Sequence, residues 1–398
     1  MRRSVVDKTK ALELLIELIE IPSAYFHEAP IMHRTKQRAK ELGLPAELQL
    51  YYFEPLDFHG LNLYGEIVGG LPGPTLYLGG HLDTVNPVAG WTREPLQATK
   101  EGDRLYGTGA LDMKAGCAAI LMALSHFKQA HANFRGRIIY HFASVEEGPY
   151  GLGTTHFLKD SLTVKPDFAI LTEPASQVGE TTHPAIALGS KGGYNYTVHL
   201  KGKSAHAATP ELGISAAEDA ARLIPALNQI ETLDHPVLGK AASCVISVHA
   251  GSGAASVPDE ARVEVFRHVV PGETIETIRR EVESVLTDLA LRSQAKIRFR
   301  PSPAEGFDGG FAPYYYDETN VDIKRLIEVC RRVYAKEPIR TTSKAIGDFN
   351  LIGGLYAIPT VLVGASGGAI HQPDEYVELT SYYQLIELLI DFLATSLT

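Results

Sequence analysis

The chain has 398 residues, a formal net charge of −10, 45% hydrophobic residues and 21% charged residues. That length exceeds what one hydrophobic core usually serves, so two domains are expected, with the composition of an ordinary globular protein. With 37 Lys and Arg against 47 Asp and Glu and no basic run, nothing marks a phosphate-binding surface, and no nucleic-acid partner is expected.

The N-terminal MRRSVVDKTKALELLIELIEIPS alternates charge with Leu and Ile at helical spacing, which is not the uninterrupted apolar stretch of a signal peptide. No apolar run of membrane-crossing length is read in the chain, so no membrane partner is expected. Residues 7–20 predict an amphipathic helix ended by Pro22, and 30–43 a second. Strand-like runs follow at LQLYYF, NLYGEIVG, TLYLGGH and RLYGTG. The stretch KAGCAAILMALSHFKQA reads as a long helix, RGRIIYHFASVEE as a buried strand ending in acids, and KPDFAILTEP as another strand. The alternation predicts an α/β sheet with helices on both faces.

Near residue 189 the pattern changes. KGGYNYTVHLKGK reads as a strand, ISAAEDAARLIPALNQI as a helix, ASCVISVHAG and EARVEVFRHVV as strands, TIETIRREVESVLTDLALRS as a helix and AKIRFRPS as a strand. This βαββαβ order is ferredoxin-like. It predicts an inserted domain over 189–302, splitting a first domain into 1–188 and 303–398. The first pattern then resumes with helix NVDIKRLIEVCRRVYA, strand TVLVGA and helix SYYQLIELLIDFLAT. Cys117, Cys244 and Cys330 are far apart with no CxxC, which fits a reducing, cytoplasmic setting, and Cys117 and Cys330, in apolar helical patterns, read as packed small hydrophobes.

Seven residues carry the chemistry: His81, Asp83, Asp112, Glu146, Glu147, Glu173 and His371, in GGHLDTV, GTGALDMKAG, SVEEGPYG, LTEP and AIHQPDEY. Most follow apolar strand-like runs, where an open α/β sheet carries its active-site groups. Two imidazoles and several carboxylates can hold two zinc-like ions beside an attacking water. Taken singly, each has a plainer reading. His81 and Asp83 could be a hydrogen-bonded pair at a strand end, Asp112 a helix cap, and Glu146–Glu147 an exposed junction. In an extended backbone Asp83 lies two residues from His81, on the same side, so its carboxylate is expected on the free ring N–H. Adjacent Glu146 and Glu147 face opposite ways, so one can bind metal while the other moves protons. Gly107 and Gly109 lack the third glycine or GK[ST] of a phosphate loop.

These five motifs, in this order, resemble those of the M20 family of metallopeptidases and amidohydrolases over essentially the whole chain. The resemblance implies a two-domain α/β fold, with a di-zinc catalytic sheet domain and an inserted ferredoxin-like lid and dimerisation domain. It implies that His81 and Glu173 bind one Zn2+, that Glu147 and His371 bind a second, and that Asp112 bridges them, often with a cis peptide to Met113. Cobalt or manganese are possible substitutes. It makes Glu146 the general base. His206, in GKSAHAATPELGISA, would cross a homodimer interface to stabilise an oxyanion in the partner's site. Arg267, in VEVFRHVVPGE, would take a substrate carboxylate, a task that suits a guanidinium fork. The chain departs from the family pattern at Ala255, where Asn is frequent, with Ser256 a possible substitute, and at Val265, where Asp is frequent. Ser366, Gly367 and Gly368 could offer backbone N–H groups to a substrate carboxylate, and Lys191 could assist. The other histidines read as packed or surface residues.

The expected function is therefore hydrolysis of an amide bond in an N-acyl amino acid or small peptide by a metal-activated water, with a deacylase favoured over an exopeptidase. The inserted domain would swing about hinges near 189 and 303 to close the site. A non-catalytic ligand-binding homologue and a metal store are the alternatives of other classes; neither would need Glu146 together with the whole ligand set.

Overall fold

The computed structural model describes residues 6–148, 151–174, 184–251, 255–300, 310–343 and 345–398. It divides into two compact units, Met1–Ser190 with Tyr315–Thr398, and Lys191–Tyr314. The second unit runs past the expected end at 302 because Gly310–Phe311 pairs antiparallel with strand Gly192–Lys201. The expected boundary at 303 lies outside the described residues.

The larger unit opens with helix Lys8–Glu20, where the Asp7 side chain accepts from the Lys10 N–H at 3.1 Å, a common N-terminal cap. Ala11, Leu14, Leu15, Leu18 and Ile19 recur at helical spacing and form its buried stripe. The main sheet runs in the order Glu47–Phe53, Phe58–Val68, Arg135–Ala143, Leu71–His81, Phe168–Leu171, Thr360–Leu362 and Ala185–Ser190. Leu71–His81 is parallel to both of its neighbours, Arg135–Ala143 and Phe168–Leu171. These three strands are apolar along their inner lengths because both sheet faces are covered. Leu76 and Leu78 join the core that also holds helix Ala115–Ala130. Tyr77 faces the other way, where its hydroxyl meets His141 Nδ1 at 2.8 Å and Phe157 stacks on that imidazole.

Helix Ala115–Ala130 is buried on nearly every side, so it has no polar face to show. The stretch Ala110–Ala130 is long enough and, on average, apolar enough to cross a membrane, but 94% of its apolar window is buried inside the protein. The final helix, Leu379–Leu397, packs on it, and Tyr382 Oη donates to Ala11 O at 2.9 Å, tying the chain's last helix to its first.

RLYGTG forms only a short strand, Arg104–Tyr106, and it belongs to a second sheet. That sheet has the order Gly367–Gly368, Tyr376–Glu378, Arg104–Tyr106, Thr99–Glu101. It was not foreseen, because its strands are two or three residues long and come from distant segments.

The smaller unit has the expected βαββαβ order: Gly192–Lys201, Ala216–Leu227, Ala242–Ala250, Glu260–Val269, Ile275–Leu289 and Gln294–Phe299. Its strands are all antiparallel and lie in the spatial order second, third, first, fourth. Helix Ile275–Leu289 starts at a Thr274–Thr277 capping box. Val198, Leu200, Val263, Val265, Leu223 and Ile278 are among the residues of its own separate core. Cys117 and Cys330 are buried and Cys244 is exposed, all three as free thiols.

Candidate metal centre

Three neighbouring parallel strands end at the site. His81 is the last residue of Leu71–His81, Glu146 and Glu147 follow Arg135–Ala143, and Glu173 follows Phe168–Leu171. Asp112 lies in the turn leading into helix Ala115–Ala130, and its peptide bond to Met113 is cis. His371 lies in the loop between Gly367–Gly368 and Tyr376–Glu378, with a left-handed φ of 57°.

Asp112 faces both imidazoles. Its Oδ1 is 3.5 Å from His81 Nε2 and its Oδ2 is 3.5 Å from His371 Nε2. Glu173 Oε1 stands 3.7 Å from His81 Nε2, and Glu147 Oε1 stands 2.7 Å from His371 Nε2. Ligand atoms of His81, Asp112 and Glu147 all lie within 4.8 Å of one another. Two donors bound about 2.1 Å from a tetrahedral ion are separated by about 3.4 Å, so most of these gaps have the span of an ion's edge rather than of a hydrogen bond.

The electrostatics agree with that donor set. Burial drives the Glu146 and Glu173 carboxyls well above their usual range, and His81 is the main group opposing the shift. Burial would lower His81, yet Asp112, Glu146 and Glu173 hold it well above an ordinary imidazole. Asp112 and then Glu147 lift His371 to about 10. The imidazoles in turn hold Asp112 well below the usual carboxylate range despite its burial. A cluster that binds protons this firmly on its histidines offers the same field to divalent cations, which compete with those protons. The residues present thus fit a bound metal.

Asp83 departs from expectation. His81 Nδ1 meets the backbone carbonyl of Asp83 at 3.0 Å, while the carboxylate is 3.8 Å away. The strand stops at His81, so alternation no longer places the next residues. The carboxylate's Oδ2 instead accepts the Glu147 N–H at 2.8 Å. Glu146 and Glu147 turn to different partners: Glu146 Oε2 is 3.8 Å from His81 Nε2, and its Oε1 accepts the Asp348 N–H at 3.2 Å.

Glu28, Asp348 and Glu375 are buried acids bonded to the segments around the donor set, and the sequence reading did not single them out. Glu28 Oε1 accepts the N–H groups of Phe26 at 2.9 Å and Val145 at 3.0 Å. Both donors sit at left-handed φ, 70° and 58°, and a β-branched residue there is strained. Glu28 therefore clamps the turn that delivers Glu146 and Glu147. Glu375 accepts from Gly109, Leu111 and Asp112. Asp348 bonds to the Thr154 hydroxyl. Only Glu375 left a sequence signal, as part of HQPDEY.

Arg267, His206 and Lys191 belong to the smaller unit, and Gly367 and Gly368 to the second sheet of the larger one. Strand Glu260–Val269 alternates, with Val263, Val265, Arg267 and Val269 all facing the core of the smaller unit. Arg267 is 1% exposed, and its guanidinium is committed to Glu273 and, at 3.3 Å, to Glu281, rather than being offered at a surface for a substrate carboxylate. His206 is exposed, in a loop that pairs with Ala255–Val257. Its Nδ1 accepts the Ala208 N–H at 3.1 Å, which leaves the neutral ring's proton on Nε2. Gly367 and Gly368 pair with Val377 and Tyr376, a Cβ on Gly367 would lie 2.0 Å from Tyr376 O, and the Ser366 N–H is given to Ser381 Oγ. Lys191 Nζ donates to Lys240 O at 2.7 Å.

The sheet and its donor set define a metal-dependent hydrolase. The chain belongs to peptidase family M20/M25/M40, whose model matches residues 77–395. A succinyl-diaminopimelate desuccinylase from Thioalkalivibrio sulfidiphilus is 27% identical over 381 residues, covering 92% of this chain and 94% of that protein. A tripeptidase structure from Staphylococcus aureus superposes with a TM-score of 0.76 at 23% identity, over 98% of this chain and 99% of the other. The Bacillus subtilis YXEP protein, described as a dinuclear metal-binding peptidase, superposes with a TM-score of 0.71 at 17% identity, over 98% and 99%.

Proposed function

We propose that the protein is a di-zinc deacylase that cleaves the amide bond of an N-acyl amino acid. The observation that carries this reading is Asp112 set between two histidines, 3.5 Å from each through different oxygens, with Glu173 on one side and Glu147 on the other. His81, Asp112 and Glu173 would hold one ion, and Glu147, Asp112 and His371 the second. Bound there, the ions supply Lewis acidity and lower the pKa of water from 15.7 toward about 7. The Irving–Williams order favours zinc over cobalt or manganese.

Glu146 is the proton carrier. Its carboxylate takes one proton from the attacking water as the new C–O bond forms. It returns that proton to the amide nitrogen as the C–N bond breaks, so one group serves as base and then acid. Burial, which favours its protonated form, suits it to holding the proton between those steps. His206 of a second copy would donate from Nε2 to the oxyanion, which makes a homodimer part of the proposal. Strand Ala242–Ala250 is the edge of its sheet and exposes Ile246 at 54% and Val248 at 45%, a surface suited to a second copy. Sedimentation showing a fully active monomer would remove that element. Three free thiols accord with a cytoplasmic setting.

Desuccinylase names among the relatives, such as the 27% identical one, support the deacylase over the exopeptidase, which the tripeptidase fold neighbour keeps as the second reading. The test is amine release from N-acetyl and N-succinyl amino acids and from di- and tripeptides, using protein stripped of metal and reloaded with zinc or cobalt. Metal-restored release from one acyl class supports the proposal. Release from peptides alone makes the protein an exopeptidase, and no release from any substrate removes the deacylase reading.

A further inference from the structure

Glu146 is held by a segment far from it in sequence. Its Oε1 accepts the backbone N–H of Asp348 at 3.2 Å. A Cβ built on the preceding residue, Gly347, would lie 2.4 Å from that same Oε1 and 2.9 Å from Phe349 Cε1. Contacts that short do not persist, and the carboxylate is the movable partner, so any side chain at 347 displaces Glu146. The segment is itself anchored. The Gly347 N–H donates to Asn350 Oδ1 at 3.1 Å, and the buried Asp348 side chain bonds to the Thr154 hydroxyl. With Oε1 taken, Oε2 is the oxygen left toward the donor set, 3.8 Å from His81 Nε2.

We propose that Gly347 and Asp348 form a backbone rest that aims the Glu146 carboxylate, Gly347 by leaving it room and Asp348 by donating its N–H to Oε1, so that Oε2 is the oxygen that carries the proton. Both are positioning residues, and the inference rests on reading Glu146 as the proton carrier. A free glutamate side chain turns about three bonds. Fixing one oxygen and crowding the other directions leaves a single useful orientation, and a shift of about 1 Å in such a group costs about 100-fold in rate.

The test measures kcat, KM, bound metal and thermal midpoint for wild type, Glu146→Gln, Gly347→Ala, Glu146→Asp and the Gly347→Ala/Glu146→Asp double variant, on whichever panel substrate is hydrolysed. Gly347→Ala should lower kcat about 100-fold with KM and metal content unchanged. The same change should cost far less in the Glu146→Asp background, where the shorter side chain already stands clear of residue 347. Wild-type turnover by Glu146→Gln would sink the proton-carrier reading itself, and this inference with it. An inactive Glu146→Gln beside a fully active Gly347→Ala would leave that reading standing and overturn the rest. Equal losses in both backgrounds would also overturn it, because residue 347 would then act elsewhere. If Gly347→Ala does not fold, Thr154→Val takes its place, since it frees Asp348 without adding bulk near Glu146. A fall in kcat at constant KM supports the inference, and an unchanged kcat ends it.

Discussion

Glu375 Oε1 accepts the backbone N–H of Asp112 at 2.9 Å and that of Leu111 at the same distance, while its Oε2 takes the Gly109 N–H at 2.8 Å. Three main-chain donors thus converge on one buried carboxylate and fix the turn from which Asp112 faces both histidines. Burial raises the Glu375 carboxyl to about 7, and the three N–H groups oppose that shift. Glu375→Gln sets an amide NH2 against at least one of these donors. The expected loss is about 1–3 kcal/mol of stability and about 10- to 100-fold in metal affinity, read by denaturant unfolding and competitive metal titration. Wild-type affinity would show that the turn holds itself.

Asp83 offers a contrast between two kinds of support. Its carboxylate takes the Glu147 N–H and stands off from the His81 ring. Asp83→Asn retains an oxygen for that N–H and should keep much of the metal affinity. Asp83→Ala removes the acceptor and should lose about 10- to 100-fold. Equal losses in a metal titration would mean that the charge, not the hydrogen bond, is what matters.

Glu28 should make stability depend on pH. Burial, then the nearby Asp83, raises its pKa from 4.5 to about 8. Between those values the folded state keeps a proton that the unfolded state has lost, so this group's contribution falls as pH rises from about 4.5 to about 8 and is flat outside that window. Glu28→Gln mimics the protonated form. Wild type should therefore lose stability relative to Glu28→Gln across that window, as measured by denaturant unfolding at matched metal concentration. Parallel curves would refute the shift.

Metal removal should unsettle the whole larger unit. Chelation should abolish turnover and lower the thermal midpoint, and reloading should restore both. Metal present at 100 times its dissociation constant adds about 2.7 kcal/mol. A midpoint indifferent to chelation would mean that the donor set does not hold metal in the folded protein.

The sheet and its polar strand ends were legible because period and composition change together. TLYLGG is apolar until His81, and IIYHFASV until Glu146. The βαββαβ order of the smaller unit was legible for the same reason. Asp83 was misplaced because strand alternation was extended past the strand's last residue. Arg267 shares the period-two core face of Val263, Val265 and Val269, so its burial is written in the strand's alternation. Glu28, Asp348 and the second sheet left almost no trace. They act through backbone N–H groups, which every residue has, and through pairings between segments whose separation no local pattern records.

The site's donors are scattered along the chain, from His81 to His371, and the loop bearing His371 is held by strand Tyr376–Glu378 pairing back to Arg104–Tyr106. A ribosome makes these parts in order. His81, Asp112, Glu146, Glu147 and Glu173 all emerge before the smaller unit is made, and for that interval the nascent chain carries a crowd of carboxylates with one imidazole among them. The second histidine arrives only after the whole smaller unit has been made, with the helix Leu379–Leu397 that packs on Ala115–Ala130 close behind. Completion of the metal centre and closure of the larger unit's core are therefore nearly the same event, and a chain stopped short of His371 would lack both.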